Sequence, residues 1–192
     1  MGSKALVFCV DLNRRFDLAA HLNYSNPPTD LVSFITSSTD TILAAQTAAI
    51  AARSMGIDSM FTNCIHRVDL HEVYKLLNLP EQKCFPFIEL ILGYSDTEST
   101  QLRGRLDGTG IIHYGKYSRL TEAEMDGLID AYDDKQKKIA MIGNWDEKGF
   151  NHYLDYYFTE WDHPTAEEKI REFHEILENA GFLNAEYMNG GK

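Results

Sequence analysis

The residue groups best suited to chemistry in this chain are two arginines around a glycine, a cysteine beside an asparagine, and a few histidines near acids. Arg103-Gly104-Arg105 can bring two permanent cations onto one phosphate, because the glycine lets a ligand approach the backbone closely. The same pair also suits a solvated loop. Cys64 follows Asn63 at the end of a short apolar run, where a thiol nucleophile would need a neighbouring base that the sequence does not place. His66, Asp69 and His71 could suggest a metal, but histidines five apart do not share a helix face, and a solvated loop and helix face is the simpler reading. His113 between Ile112 and Tyr114 reads as a packed or surface histidine. Gly108-Thr109-Gly110 lacks the third glycine and the following helix of a dinucleotide fingerprint. Phosphate-loop, zinc-helix and nucleophile-elbow motifs are absent from the sequence.

Composition narrows the partners. The net charge of −11, from 18 basic and 29 acidic residues, leaves little to attract nucleic acid or an anionic membrane surface. The apolar runs fall well short of the ~20 residues that a membrane helix requires. Three widely spaced cysteines, Cys9, Cys64 and Cys84, suggest neither a disulfide framework nor a zinc site and fit a reducing cytoplasm. A hydrophobic content of 44% in 192 residues supports one domain with a substantial core.

The elements that must position these groups alternate in type. Ala5 to Val10 reads as a strand buried on both faces, followed by a short helix to Leu22 and a polar loop to Pro28. Residues from about Thr29 to Met55 form the strongest helical pattern, with Gly56 at the capping position and an interruption expected at Ser37 to Thr39. Its alanine-rich second half leaves room for another backbone. Ser59 to Cys64 is a second strand; Asp69 with Glu72 opens a helix ending near Asn78; Phe87 to Leu92 is a third, buried strand. Ile111 to His113 is a further strand candidate. Thr121 with Glu124 starts a helix to about Lys138, its lysines gathered at the C-terminal end. An aromatic helix from Asp146 to Trp161 and a last helix, capped by Thr165 with Glu168, complete the pattern.

Taken in order, several of these pieces resemble the nitroreductase family: the strand from Ala5 to Asp11, the helix from Ile42 to Ile57, Ser59 to Cys64, Leu76-Leu77-Asn78-Leu79-Pro80, Phe87 to Tyr94, and Arg103-Gly104-Arg105-Leu106. The likeness runs from about Lys4 to Lys138. It implies an α/β (α+β) fold with a central, mostly antiparallel sheet flanked by helices, and a homodimer built on the central helix. It implies FMN as cofactor, with Phe61, Thr62, Asn63 and Cys64 lining the flavin ring and a backbone N–H near Asn63 or Cys64 reaching the reactive ring nitrogen. Arg103 and Arg105 would grip the phosphate. The implied activity is hydride transfer from NAD(P)H through flavin to a nitro compound, a quinone or a related small acceptor. The chain is then one domain, 1–192, with 139–192 as a helical C-terminal extension. The family's opening Arg-Arg-Ser-x-Arg-like helix has no counterpart before Ala5. Loss of its charge-assisted hydrogen bonds, each about 1.5–3 kcal/mol, would weaken FMN binding by orders of magnitude. The alternative is therefore a flavin-free binding or interaction module on the same fold.

Overall fold

A computed structural model describes residues 2–25, 27–96 and 102–183. The chain packs as two compact units, one formed by residues 1–97 with 166–192 and the other by 98–165. Residues 139–192 are thus divided between the two.

In the first unit β1 (Lys4–Asp11), α1 (Asn13–His21), α2 (Leu31–Ser54), β2 (Asp58–Thr62), α3 (Leu70–Leu77) and β3 (Cys84–Gly93) follow one another, and α6 (Glu167–Asn179) returns to join them. The three strands make an antiparallel sheet in the order β1-β3-β2, so β3 alone is paired on both sides. Leu90, fully buried, stands between Leu6 of β1 and Phe61 of β2. The register slips between Phe8 and Cys9, so that Phe87 becomes the extra residue of a bulge next to Pro86. Proline has no N–H for the ladder, and a bulge is where a paired strand can accept one.

The expectation that the first strand is buried on both faces is overturned: Lys4, Ala5 and Leu6 are exposed and only Val10 is fully covered. Among the described residues the sheet has three strands, so both outer ones are edges, and an apolar run cannot report which neighbour covers it.

α2 runs without a break through Ser37 to Thr39, contrary to the expected interruption. The hydroxyls bond back to the preceding turn, Ser38 Oγ to Phe34 O at 2.7 Å and Thr39 Oγ1 to Ile35 O at 3.1 Å, which keeps them inside the helix. Asp30 caps its start through Ser33 N at 2.7 Å. Gly56 takes the left-handed conformation, φ 73°, just beyond its end. The small buried residues Ser38, Thr41, Ala45 and Ala52 make one face of α2, which packs against all three strands. Leu31, Ile35, Ile42, Leu43 and Ile50 lie exposed elsewhere on the helix.

The core of this unit joins Val10, Leu12, Leu70, Tyr74, Phe85, Ile176, Ala180 and Phe182, so α6 belongs to the centre of the fold. The Glu172 carboxylate of α6 accepts the Leu70 amide of α3 at 2.7 Å. The expected Thr165–Glu168 cap does not form; Ala166 precedes the helix and makes no side-chain cap.

The second unit contains α4 (Glu122–Asp133) and α5 (Tyr153–Glu160) around a second core of Trp145, Tyr153 and Tyr156. The capping box at Thr121 and Glu124 is present in both directions. The helix stops at Asp133 instead of reaching Lys138, because the Asp134 carboxylate accepts the Gln136 amide at 2.9 Å and turns the backbone. Ile111 to His113 is not a strand: the amides of Ile111 and Ile112 both turn back to the Gly108 carbonyl at 2.9 Å. The aromatic helix begins at Tyr153, not Asp146, after a short 3-10 turn at Asp146–Lys148.

The burial of Leu90 sets a stability test. Leu90→Ala should destabilise the chain by roughly 2–5 kcal/mol, as for other leucines removed from packed cores. Leu76→Ala, at an 83% exposed position, should change stability by less than about 0.5 kcal/mol. Equal shifts of the urea midpoint in the two variants would contradict this account of the sheet.

Candidate functional site

The first unit positions the turn after β2. Phe61 is the edge-strand residue opposite Leu90 and is 37% exposed. Thr62, opposite Glu89, closes the strand, and its Oγ1 accepts the Cys64 amide at 3.1 Å. Asn63 and Cys64 are exposed, with Asn63 O accepting the His66 amide at 2.9 Å and opening the 3-10 turn Cys64–Arg67. One turn deeper, Glu89 of the central strand receives the Ile65 amide at 3.2 Å. Phe61, Thr62, Asn63 and Cys64 are therefore brought together on one exposed sheet edge, held from beneath by Glu89. Of the two amides considered for a flavin nitrogen, that of Cys64 is engaged within the turn itself.

His66 is not the solvated residue expected from spacing. Its Nε2 donates to Pro86 O at 3.0 Å, and its ring packs on Phe85 and Phe173 at 5.7 and 5.3 Å between centroids. Asp69 caps α3 by accepting the His71 and Glu72 amides. Among the described residues no group of three or more histidines, cysteines or acids is arranged to hold a metal ion. Nor is any helix of those residues long and apolar enough to cross a membrane.

In the second unit Gly104 is pinned against the turn that follows α4. Its amide donates to Lys138 O at 3.2 Å, and a Cβ added there would lie 1.9 Å from Lys137 O, so no larger residue fits without moving backbone. The two arginines line different hollows. Arg105 borders a cavity of about 310 Å³ with Asp107, Glu124 and Lys137, and its guanidinium also donates to Gly104 O at 3.0 Å. Arg103 borders a cavity of about 380 Å³ with Lys135 and Lys138, walled by Tyr132, Ala140 and Trp145. Asp134 is the acid on this wall. A volume of this size, with aromatic walls and a few charged groups, is in the range of small-ligand sites.

Sequence reasoning identified Arg103 but missed Lys135, Lys138, Tyr132 and Trp145. The lysines had been read as the C-terminal end of a helix. Asp133-Asp134 ahead of them was the available signal, since aspartates commonly turn the chain by accepting a nearby amide.

The wall carrying Tyr132 is fixed by the residue that ends α4. Asp133 accepts the Tyr153 amide at 2.8 Å and the His152 Nδ1–H at 2.6 Å, which ties α5 to α4 and stacks Tyr132 on Tyr153 with ring centroids 5.6 Å apart. The indole N–H of Trp145 is buried without a hydrogen-bond partner.

No protein-family model matches the sequence. Solved structures do match the fold. NfrA1 of B. megaterium aligns with a TM-score of 0.74 at 23% identity, over 95% of this chain and 71% of that one. The NfrA1 nitroreductase of B. subtilis gives 0.73 at 22% identity, over 93% and 70%. An NADPH:FMN oxidoreductase from Vibrio harveyi, solved with NAD+, gives 0.67 at 17% identity, over 94% and 68%. This chain has the nitroreductase fold, a mixed α/β architecture on an antiparallel sheet. It spans about seven tenths of each of these neighbours.

The Asp133 carboxylate, hydrogen-bonded to His152, holds the imidazole pKa above its ordinary value of 6.5. A pKa raised on folding stabilises the fold fully below the unfolded value and ceases to do so as pH rises through the folded one. The midpoint of urea unfolding should therefore fall as pH rises above the ordinary histidine value of 6.5, with a smaller fall in Asp133→Asn. An NMR titration of His152 should show the raised pKa in the parent chain only; an unshifted histidine would rule out the pairing.

Proposed function

We propose that this chain acts as an FMN-dependent oxidoreductase, passing hydride from NAD(P)H through the flavin to a nitro compound, a quinone or a similar acceptor. The observation that carries this reading is the cationic, aromatic-walled cavity around Arg103 in a chain of net charge −11 with the nitroreductase fold. An acidic protein would repel a phosphorylated ligand at most of its surface, so a hollow bordered by Arg103 and Lys138, with Lys135 paired to Asp146 at 2.6 Å and Asp134 as its acid, is a selective exception. The resemblance to an NADPH:FMN oxidoreductase supports the same reading.

The residues present suit FMN in chemical character. In the second unit, Arg103 is assigned to the phosphate, with Lys138 adding positive charge beside it, while Arg105 borders a separate hollow. Taken by itself, the first unit offers the exposed edge from Phe61 to Cys64 as a surface suited to a flavin ring. Phe61 offers an apolar surface, and Asn63 supplies the amide, since that of Cys64 is committed to Thr62. Bound FMN would supply the two-electron hydride chemistry, leaving the protein to hold and orient it. No side-chain acid or base is required of the chain by this division of labour. A cytoplasmic setting fits its free cysteines.

The homodimer forms through the outer face of α2. A helix that packs small residues inward and still exposes Leu31, Ile35, Ile42, Leu43 and Ile50 presents an apolar row to a partner. Unlike an isolated exposed leucine, this row repeats at helical spacing and has no function in a lone chain.

FMN added to the purified chain should bind with quenching of its fluorescence, and the complex should absorb near ~450 nm and bleach with NADPH or NADH under anaerobic conditions. Arg103→Ala should weaken FMN binding by about 10- to 100-fold, the worth of one charge-assisted hydrogen bond. A chain that ignores FMN would leave the flavin-free interaction module as the better reading. Light scattering after size exclusion tests the interface separately: the parent should run as a dimer and Ile42→Asp as a monomer, whereas a monomeric parent would refute it.

A further inference from the structure

The β1–β3 ladder brings two cysteines together on one face. Cys9 pairs with Pro86 and Cys84 with Asp11, so the cysteines occupy diagonal positions two rungs apart, on either side of the Val10–Phe85 pair. Diagonal neighbours on one face are within reach of one another's side chains, and closing a disulfide between them requires the edge strand β1 to draw toward β3. The two thiols act on one another, each being the largest influence on the other's ionisation. Tyr74 adjoins them, its hydroxyl donating to Cys84 O at 2.7 Å, and holds this end of β3 in the core.

The two sulfurs differ in access and in charge preference. Cys84 is 2% exposed, whereas Cys9 is half-buried on the edge strand. The hydrogen bond with Cys84 lowers the Cys9 pKa, overcoming partial burial and the nearby Asp11 carboxylate. The same bond, together with burial, raises the Cys84 pKa. The thiolate is the reactive form of cysteine, so the accessible sulfur is also the one more readily ionised.

We propose that Cys9 and Cys84 form a peroxide-responsive thiol pair, in which a hydroperoxide oxidises Cys9 and Cys84 resolves the product as an intramolecular disulfide. The Cys9 thiolate attacks one peroxide oxygen, the O–O bond breaks, and the departing oxygen takes a proton to leave as water or an alcohol. Cys9 is then a sulfenic acid. The Cys84 sulfur attacks Cys9, the S–O bond breaks, and the hydroxyl leaves as water with the Cys84 proton. The two thiols lose two electrons in total and the hydroperoxide gains them. A thiol reductant reverses the change. Nothing in this sequence depends on flavin binding, and Cys64, exposed on the other edge of the sheet, takes no part.

The test is to treat the full chain with hydrogen peroxide, alkylate the remaining thiols, and map non-reduced peptides by mass spectrometry. The expected product is a monomer about 2 Da lighter before alkylation, the mass of two hydrogens, in which one peptide pair links Cys9 to Cys84 and Cys64 remains alkylated. In Cys84→Ser the sulfenic acid should persist on Cys9 and be trapped by dimedone, while in Cys9→Ser the Cys84 thiol should survive the same exposure. The proposal is overturned if Cys9 and Cys84 both remain alkylatable in the parent chain, if Cys9 proceeds to sulfinic acid with Cys84 still a thiol, or if the linked peptides join two chains.

Discussion

Pairing on both edges of β3 is the constraint from which the rest of the first unit follows. A strand hydrogen-bonded on each side satisfies its backbone away from water, and only such a strand can carry a fully buried residue like Leu90 between two partners. The same strand delivers Glu89 to the turn after β2, Pro86 to the His66 ring and Cys84 to the thiol pair. Three features far apart in sequence are therefore aligned by one element. Its bulge absorbs the proline that would otherwise break the ladder.

α2 answers the sheet with small residues. Ser38, Thr41, Ala45 and Ala52 let the helix lie close to the strands, and hydroxyl bonds within the helix satisfy the polar ones. Close packing on that side leaves the larger side chains of α2 facing outward, where burial of apolar area contributes about 25 cal/mol for each Å² removed from water. The inward face is complete in one chain; the outward face leaves Leu31, Ile35, Ile42, Leu43 and Ile50 exposed.

The second unit relies on a different device. Its core is aromatic and small, and a single carboxylate, Asp133, ends α4, receives the first amide of α5 and engages His152. The hollow beside Arg103 exists because the chain turns at Asp134 and sends Lys135 and Lys138 along its rim. Had α4 continued through the lysines, they would have been spread around a helix instead of gathered at one cavity.

Much of the local structure was legible in the residues alone. Asp69 and Thr121 act as the expected helix caps because a side-chain oxygen just before a helix reaches its free amides, whereas at Thr165 the helix starts one residue later and the cap does not form. The continuous apolar run of β3 and the alanine-rich second half of α2 are likewise properties of short stretches. What needed the tertiary structure was anything set by a distant partner. Burial of β1 depends on which strands lie beside it, and α4 ends where carboxylates meet a turn and α5. His66 finds its acceptor in Pro86, twenty residues on. Arg103-Gly104-Arg105 shows the division most plainly. Its charge and its glycine could be read directly, but the backbone of residues 137 and 138 decided how closely the glycine is packed, and the surrounding walls decided that the two arginines border separate cavities.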